Sequence, residues 1–269
     1  CVQPGLLPNV HAATARVLDA LGFETLVASG AGCCGALRQH LGDPDGARDA
    51  ARRNVDAWWP LLEAGAEAVV FDASGCGTQL REYGHLLRDD PAYAAKAAQL
   101  AARSVDVAEF VAAHAGRLPA ASAASNRARL ESIDVPTRVA FHAPCSLQHG
   151  LRVRGVVESL LVGLGAEVLP HADATLCCGS AGTYSLLQPA LATELRARKL
   201  AALESPGPHV ILSANVGCIA HLGAAAGVPV RHWIEWVDEA LKRGQSPFST
   251  LRADAPPVAE AVRRVEKGD

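Results

Sequence analysis

The sequence predicts an α/β fold built as two pseudo-symmetric repeated domains, each a parallel sheet with flanking helices and with cysteines at the C-terminal ends of strands. Three observations carry that prediction. One cysteine pattern occurs twice, strand-like and helix-like stretches alternate within each half, and the cysteines fall just past the strand-like stretches.

In the first half Cys1 is followed after 31 residues by Cys33-Cys34-Gly35, and after 41 more by Cys76. In the second half Cys145 is followed after 31 residues by Cys177-Cys178-Gly179, and after 39 more by Cys218. All 8 cysteines belong to this scheme, so core filling does not account for them.

Apolar residues at Val10, Ala13, Val17, Leu18 and Leu21 give helical spacing over Pro8 to Leu21, with Gly22 as the stop. Phe23 to Ala28 reads as a buried strand entering the Cys33-Cys34-Gly35 turn. Asp45 to Glu63 reads as a helix, Ala68 to Asp72 as a strand delivering Cys76, and the following residues to about Leu87 as a helix. Asp89-Asp90-Pro91 breaks it, and helices follow over Ala92 to Ala102 and Val105 to His114. Residues 116–136 are rich in Ala, Ser and Arg, lack apolar periodicity, and read as a linker. The second half replays the order: strand Arg138 to His142, helix Val156 to Val162, strand Gly165 to Leu169, the glycine-rich turn Cys177 to Gly182, helix Leu186 to Leu203, strand Val210 to Ser213, a helix opening at Gly217-Cys218, strand Val228 to Val230 and helix Ile234 to Lys242. The expected division is a first cysteine-rich domain over 1–115, the linker 116–136, a second such domain over 137–245 and a tail over 246–269. By the repeat, the strand leading into Cys1 is missing, and with no Met in the chain the sequence reads as a fragment. Ligands gather outside the carboxyl ends of parallel strands, so the cysteine stations of each half can converge on one point.

The 269 residues carry a net charge of -3, which gives no basic footprint for nucleic acid. No run of 18 apolar residues is present to span a bilayer, and no signal peptide is visible. These features point to the cytoplasm. Disulfides are disfavoured because the chain is large enough not to need staples and because neighbouring Cα atoms lie about 3.8 Å apart, below the usual disulfide range. Adjacent thiolates also repel unless a cation neutralises them. Metal ligation by Cys1, Cys33, Cys34, Cys76, Cys145, Cys177, Cys178 and Cys218 is the better reading. Structural zinc sites draw on spaced pairs such as C-x2-C, which are absent here. An iron–sulfur cluster has several irons and suits a vicinal pair.

The doubled Cys-x31-Cys-Cys-Gly pattern resembles the cysteine-rich CCG domain shared by heterodisulfide reductases, anaerobic glycerol-3-phosphate dehydrogenases, lactate-utilisation proteins and glycolate oxidase iron–sulfur subunits. The flanking residues, among them Cys1-Val2-Gln3-Pro4, Ala51-Arg52-Arg53-Asn54-Val55-Asp56-Ala57-Trp58, Ser74-Gly75-Cys76-Gly77 and Glu82-Tyr83-Gly84-His85, most resemble the glycolate oxidase group. That resemblance implies an electron-transfer subunit holding one or two iron–sulfur clusters of [4Fe-4S] type. It implies a flavin-containing partner that oxidises glycolate to glyoxylate, an acceptor such as a quinone, and a place in the cytoplasm or at the inner face of its membrane. It also implies an upstream ferredoxin-like region that this sequence lacks. Heterodisulfide reductase-like members carry a further cysteine three residues after the last one; Gln79 and His221 stand there, which argues against a noncubane cluster.

His142, His149 and His221 lie near second-half cysteines, and His221 is the leading candidate for an additional ligand or tuning residue because of that position. Trp58, Trp59, Trp233 and Trp236 suit helix packing or a partner interface. The turn Gly179 to Gly182 matches neither phosphate-binding glycine pattern. Two rivals remain: a lactate-utilisation, glycerol-3-phosphate or heterodisulfide- or quinone-reducing subunit of the same type, and a non-catalytic scaffold with zinc or no metal.

Overall fold

The computed structural model describes residues 2–118 and 123–241; Cys1 and the expected tail lie outside them. Its sheets are wholly parallel, in keeping with the expected α/β class. In the first half β1 (Val69–Phe71) pairs with β2 (Ser104–Asp106), Phe71 opposite Asp106. The second half holds a four-stranded sheet: β3 (Arg138–His142) has β4 (Glu167–Val168) on one side and β5 (Val210–Ser213) then β6 (Val230–His232) on the other. The register sets His142 opposite Ser213 and Ser213 opposite His232. All four residues of β5 are buried, as expected for a strand covered on both faces.

The halves share one apolar core. Val10, Ala13, Val17 and Leu18 of the helix Asn9–Ala20 are buried, and that helix packs on Trp233–Leu241, whose Trp233 and Trp236 are fully buried. Spacings of three and four put these apolar residues on one helix face. Arg16 closes the contact with a two-pronged ion pair to Asp238, at 2.9 and 2.7 Å. The Trp236 indole N–H donates to Pro136 O at 2.7 Å, so both tryptophans of this helix serve core packing.

Several elements differ from expectation. Phe23 to Ala28 forms no strand, and Leu26 and Val27 are 54% and 82% exposed. A parallel strand needs hydrogen-bonded neighbours. Its second-half counterpart, β4, pairs with β3, whereas no described strand lies beside Phe23 to Ala28, and the stretch stays irregular. Ser104 to Asp106, expected partly as helix, is β2, and the helix after it runs over Val107–Ala113. The stretch expected to continue from Cys76 to Leu87 is two helices, Ser74–Arg81 and Tyr83–Leu86. Within 116–136 a helix forms at Ala123–Ser132; only Asn126 and Leu130 of its described side chains are buried, one turn apart, too few to register as periodicity. Among the described residues no helix is long and apolar enough to cross a membrane.

Asp106, 2% exposed, starts Val107–Ala113 by accepting from Ala108 N at 2.8 Å in a capping box with Glu109. Burial lifts its carboxyl from 3.8 to about 7. Between those values the folded chain keeps a proton that the unfolded chain has released, so this residue's stabilising contribution is complete near pH 4 and is lost as pH rises through 7. Asp106→Asn keeps the cap acceptor and removes the titration. Urea denaturation should find the variant more stable than the parent above pH 7 by about 4 kcal/mol, with the gap closing towards pH 4.

Candidate metal centres

The second-half site assembles at the C-terminal ends of β3 and β5. Chain leaving β3 passes Ala143-Pro144 to Cys145, and chain leaving β5 reaches Cys218 in the first turn of the helix Val216–Gly223. Asn215 fixes that turn, its Oδ1 accepting from Gly217 N at 2.9 Å. The Cys177-Cys178-Gly179 turn comes in beside them. Cys145 and Cys177, Cys177 and Cys178, and Cys178 and Cys218 lie close enough for each thiol to shift its neighbour's titration. Backbone amides of Gly179 and Ser180 point at the sulfurs of Cys177 and Cys178, at 3.3 and 3.4 Å. All four second-half cysteines predicted from sequence are thus brought together.

The glycine after each cysteine pair is required twice over. Gly35 and Gly179 have φ of 89° and 92°, a region that side chains resist. A Cβ on Gly35 would sit 3.0 Å from Ala47 O, and one on Gly179 only 2.5 Å from Ala192 O. Each CCG turn is therefore seated directly on the backbone of a following helix, Pro44–Glu63 or Pro189–Glu204.

In the first half Cys34 and Cys76 lie close enough to shift each other's titration, and Cys33 is near enough to act on Cys76 electrostatically. Cys1, the expected fourth donor, is outside the described residues. The turn is held from beneath by Asn54 and Tyr83. Asn54 accepts from Gly32 N at 2.8 Å, and its amide nitrogen lies 3.1 Å from Cys33 O and 2.8 Å from the Tyr83 hydroxyl. Tyr83, fully buried, donates to Cys34 O at 2.9 Å. Burial pushes its pKa up, so it stays a neutral donor.

Neighbouring thiols shift one another's titration in both halves. Cys34 is pulled down to about 6, chiefly by Cys76, which is itself pushed up. Cys177 is pulled down by Cys145 and then Cys178, and Cys218 by Cys178, while Cys145 and Cys178 are pushed up by the same contacts. A cation entering either group would displace the thiol protons and remove the repulsion between thiolates.

Two further side chains bear on the second-half group. Lys199, 0% exposed, donates to Asp173 O at 2.7 Å and Ala174 O at 3.2 Å, pinning the approach to Cys177 and setting a buried amine, its pKa lowered by burial, within electrostatic reach of Cys145, Cys177 and Cys178. His142, also 0% exposed, has a ring nitrogen within 4.8 Å of the Cys178 and Cys218 sulfurs. It helps to lower the Cys218 pKa, yet neither ring nitrogen reaches a partner at hydrogen-bond geometry. Leaving a buried polar group unpaired costs about 1–3 kcal/mol. His221, by contrast, sets its Nε2 3.1 Å from Ala192 O, and His149 is exposed. The histidine at the cysteines is His142, and its place at the end of β3, three residues before Cys145, is the signal that could have found it.

The two groups meet across a polar junction. Ser74, two residues before Cys76, lies 2.8 Å from Ser146, which follows Cys145, and Asn215 Nδ2 lies 3.3 Å from Ser146 Oγ. Soft sulfur donors with one imidazole form a set that fits a thiolate-binding metal centre rather than a hard cation. Tyr83→Phe keeps the ring but leaves Cys34 O unpaired. It should lower stability by about 1–2 kcal/mol in urea denaturation, and lower metal content towards that of Cys76→Ser while leaving Cys218→Ser-sensitive metal in place.

The comparisons with known proteins agree with this arrangement. The family model described as "Cysteine-rich domain" (CCG) matches residues 1–81 and 139–223. The chain is 46% identical, over 90% of its length, to the glycolate oxidase iron-sulfur subunit of Escherichia coli (strain K12), of which it covers 57%. It is 27% identical over 81% of its length to the probable glycolate oxidase iron-sulfur subunit of Bacillus subtilis (strain 168), covering 47% of that protein. It is 30% identical over 83% of its length to the lactate utilization protein A of Bacillus velezensis, covering 87%. The chain thus spans about half the length of the glycolate oxidase relatives. With two matched segments carrying two sets of converging cysteines, the chain belongs to the CCG cysteine-rich domain family.

Proposed function

We propose that the chain is the cysteine-rich part of the iron–sulfur electron-transfer subunit of a glycolate dehydrogenase. It relays electrons from a flavin-containing subunit that oxidises glycolate to glyoxylate towards an acceptor such as a quinone, in the cytoplasm or at the inner face of its membrane. Two cysteine-rich domains, 1–115 and 137–245 about the linker 116–136, hold one or two [4Fe-4S] clusters. The observation that carries the reading is the contact chain Cys145, Cys177, Cys178, Cys218 at strand ends, in a chain 46% identical to a glycolate oxidase iron-sulfur subunit.

An iron–sulfur cluster bound there supplies reversible one-electron transfer at a potential set by its ligands and surroundings. The chain's own part is to bind, orient and tune. Cys33-Cys34 and Cys177-Cys178 offer adjacent thiolates suited to different irons of one cluster. The amides of Gly179 and Ser180 and the Lys199 amine favour added negative charge beside Cys145, Cys177 and Cys178. The Ser74–Ser146 junction supports a route between the two groups. A second reading, lactate in place of glycolate as donor, is favoured by the lactate utilization relatives, which match the chain over nearly their whole length.

The test isolates the tagged chain with its bound partners from its own cells without oxygen and adds glycolate or lactate in an EPR tube. Glycolate should produce the reduced-cluster signal within the mixing time, with lactate at least tenfold slower. Reduction by lactate alone would favour the second reading. Reduction by neither, in a sample that dithionite reduces, would contradict the relay.

A further inference from the structure

Resting on the iron–sulfur reading above, we infer that His142 is a fifth ligand of the second-half centre, binding metal through a ring nitrogen beside Cys145, Cys177, Cys178 and Cys218. Three observations support it. The imidazole is 0% exposed, and both its nitrogens lack a hydrogen-bond partner, an arrangement that folded proteins rarely keep without a role. Its donor atom and the sulfurs of Cys178 and Cys218 lie within 4.8 Å of one another, and they form the only group of three or more potential ligands this close among the described residues. Its backbone is fixed at the end of a central strand, where Ser213 Oγ donates to His142 O at 2.9 Å and the β3–β5 register holds the two residues opposite each other.

A neutral nitrogen donor among thiolates has a defined consequence. Compared with a fifth thiolate in the same position it adds no negative charge, so reduction is easier than it would be with five cysteines, in the sense that histidines in place of cysteines raise the potential of Rieske centres. The alternative, a hydrogen bond from the ring to a sulfur, would leave the nitrogen outside the coordination shell.

Pulsed EPR separates the two. The full chain, grown with 15N-histidine and loaded with iron and sulfide without oxygen, is reduced and its nitrogen couplings are measured. A strong coupling that changes isotope with the label, and that vanishes in His142→Cys, supports ligation. His142→Cys should keep the iron content and show a lower midpoint potential. Full iron loading with only the weak couplings of hydrogen-bonded nitrogen would overturn the assignment, and because this arm uses the unaltered chain it does not depend on a variant folding. A chain that takes up no iron and sulfide would instead defeat the iron–sulfur reading. Cobalt(II) titration of the metal-free chain then decides the ligand: ligand-field bands that shift in His142→Ala retain His142, and superimposable spectra remove it.

Discussion

The arrangement of both cysteine groups depends on one backbone constraint, the seating of each Cys-Cys-Gly turn on the first turns of a following helix. A residue at φ near 90° must sit against a helix carbonyl, Ala47 O in one half and Ala192 O in the other. Only glycine meets both demands. Once the turn is seated, two adjacent thiols are aimed at the ends of the neighbouring strands, where Cys76 or Cys218 arrives in the first turn of its own helix. The rest of the site is the consequence of that delivery: sulfurs close enough to shift one another's titration, amides directed at sulfur, and a site that a soft cation would complete.

The halves reuse this constraint with different supports. Beneath the first turn, Asn54 and Tyr83 take up the carbonyls of Cys33 and Cys34 in a neutral network. Beside the second stand a buried amine, Lys199, and a buried imidazole, His142. Positive or neutral donors near the sulfurs act on charge as well as on position. The repeat in sequence therefore produces two centres of related geometry and unlike electrostatics, joined at Ser74, Ser146 and Asn215.

Much of this is legible in the sequence because two signals reinforce each other. Arg138 to His142 and Val210 to Ser213 are strands as expected, and both are almost wholly buried, so their apolar runs are unambiguous. The cysteine spacing locates the turns, and strand ends locate their meeting point. The strand expected at Phe23 to Ala28 does not form because a strand is a property of its neighbours as much as of its own residues, and no described strand pairs with this stretch. The three residues of β2 escape notice because a strand that short, flanked by helices, has no period to read. Spacing favours His221 over His142, since it measures distance along the chain, and the sheet register that puts His142 beside Cys218 does not follow from it. Asn54, Tyr83 and Lys199 carry no cysteine-like signal; their roles come from hydrogen bonds spanning 21 to 49 residues.

The central claim, that the converging thiols hold one or two iron–sulfur clusters, is tested most directly by measuring iron, acid-labile sulfide and zinc per chain on protein purified without oxygen. The account predicts iron and sulfide in equal amounts, at about four of each per loaded half for [4Fe-4S] clusters, with little zinc. Stoichiometric zinc, or no metal after anaerobic reconstitution, would contradict it and leave a metal-bound or metal-free scaffold.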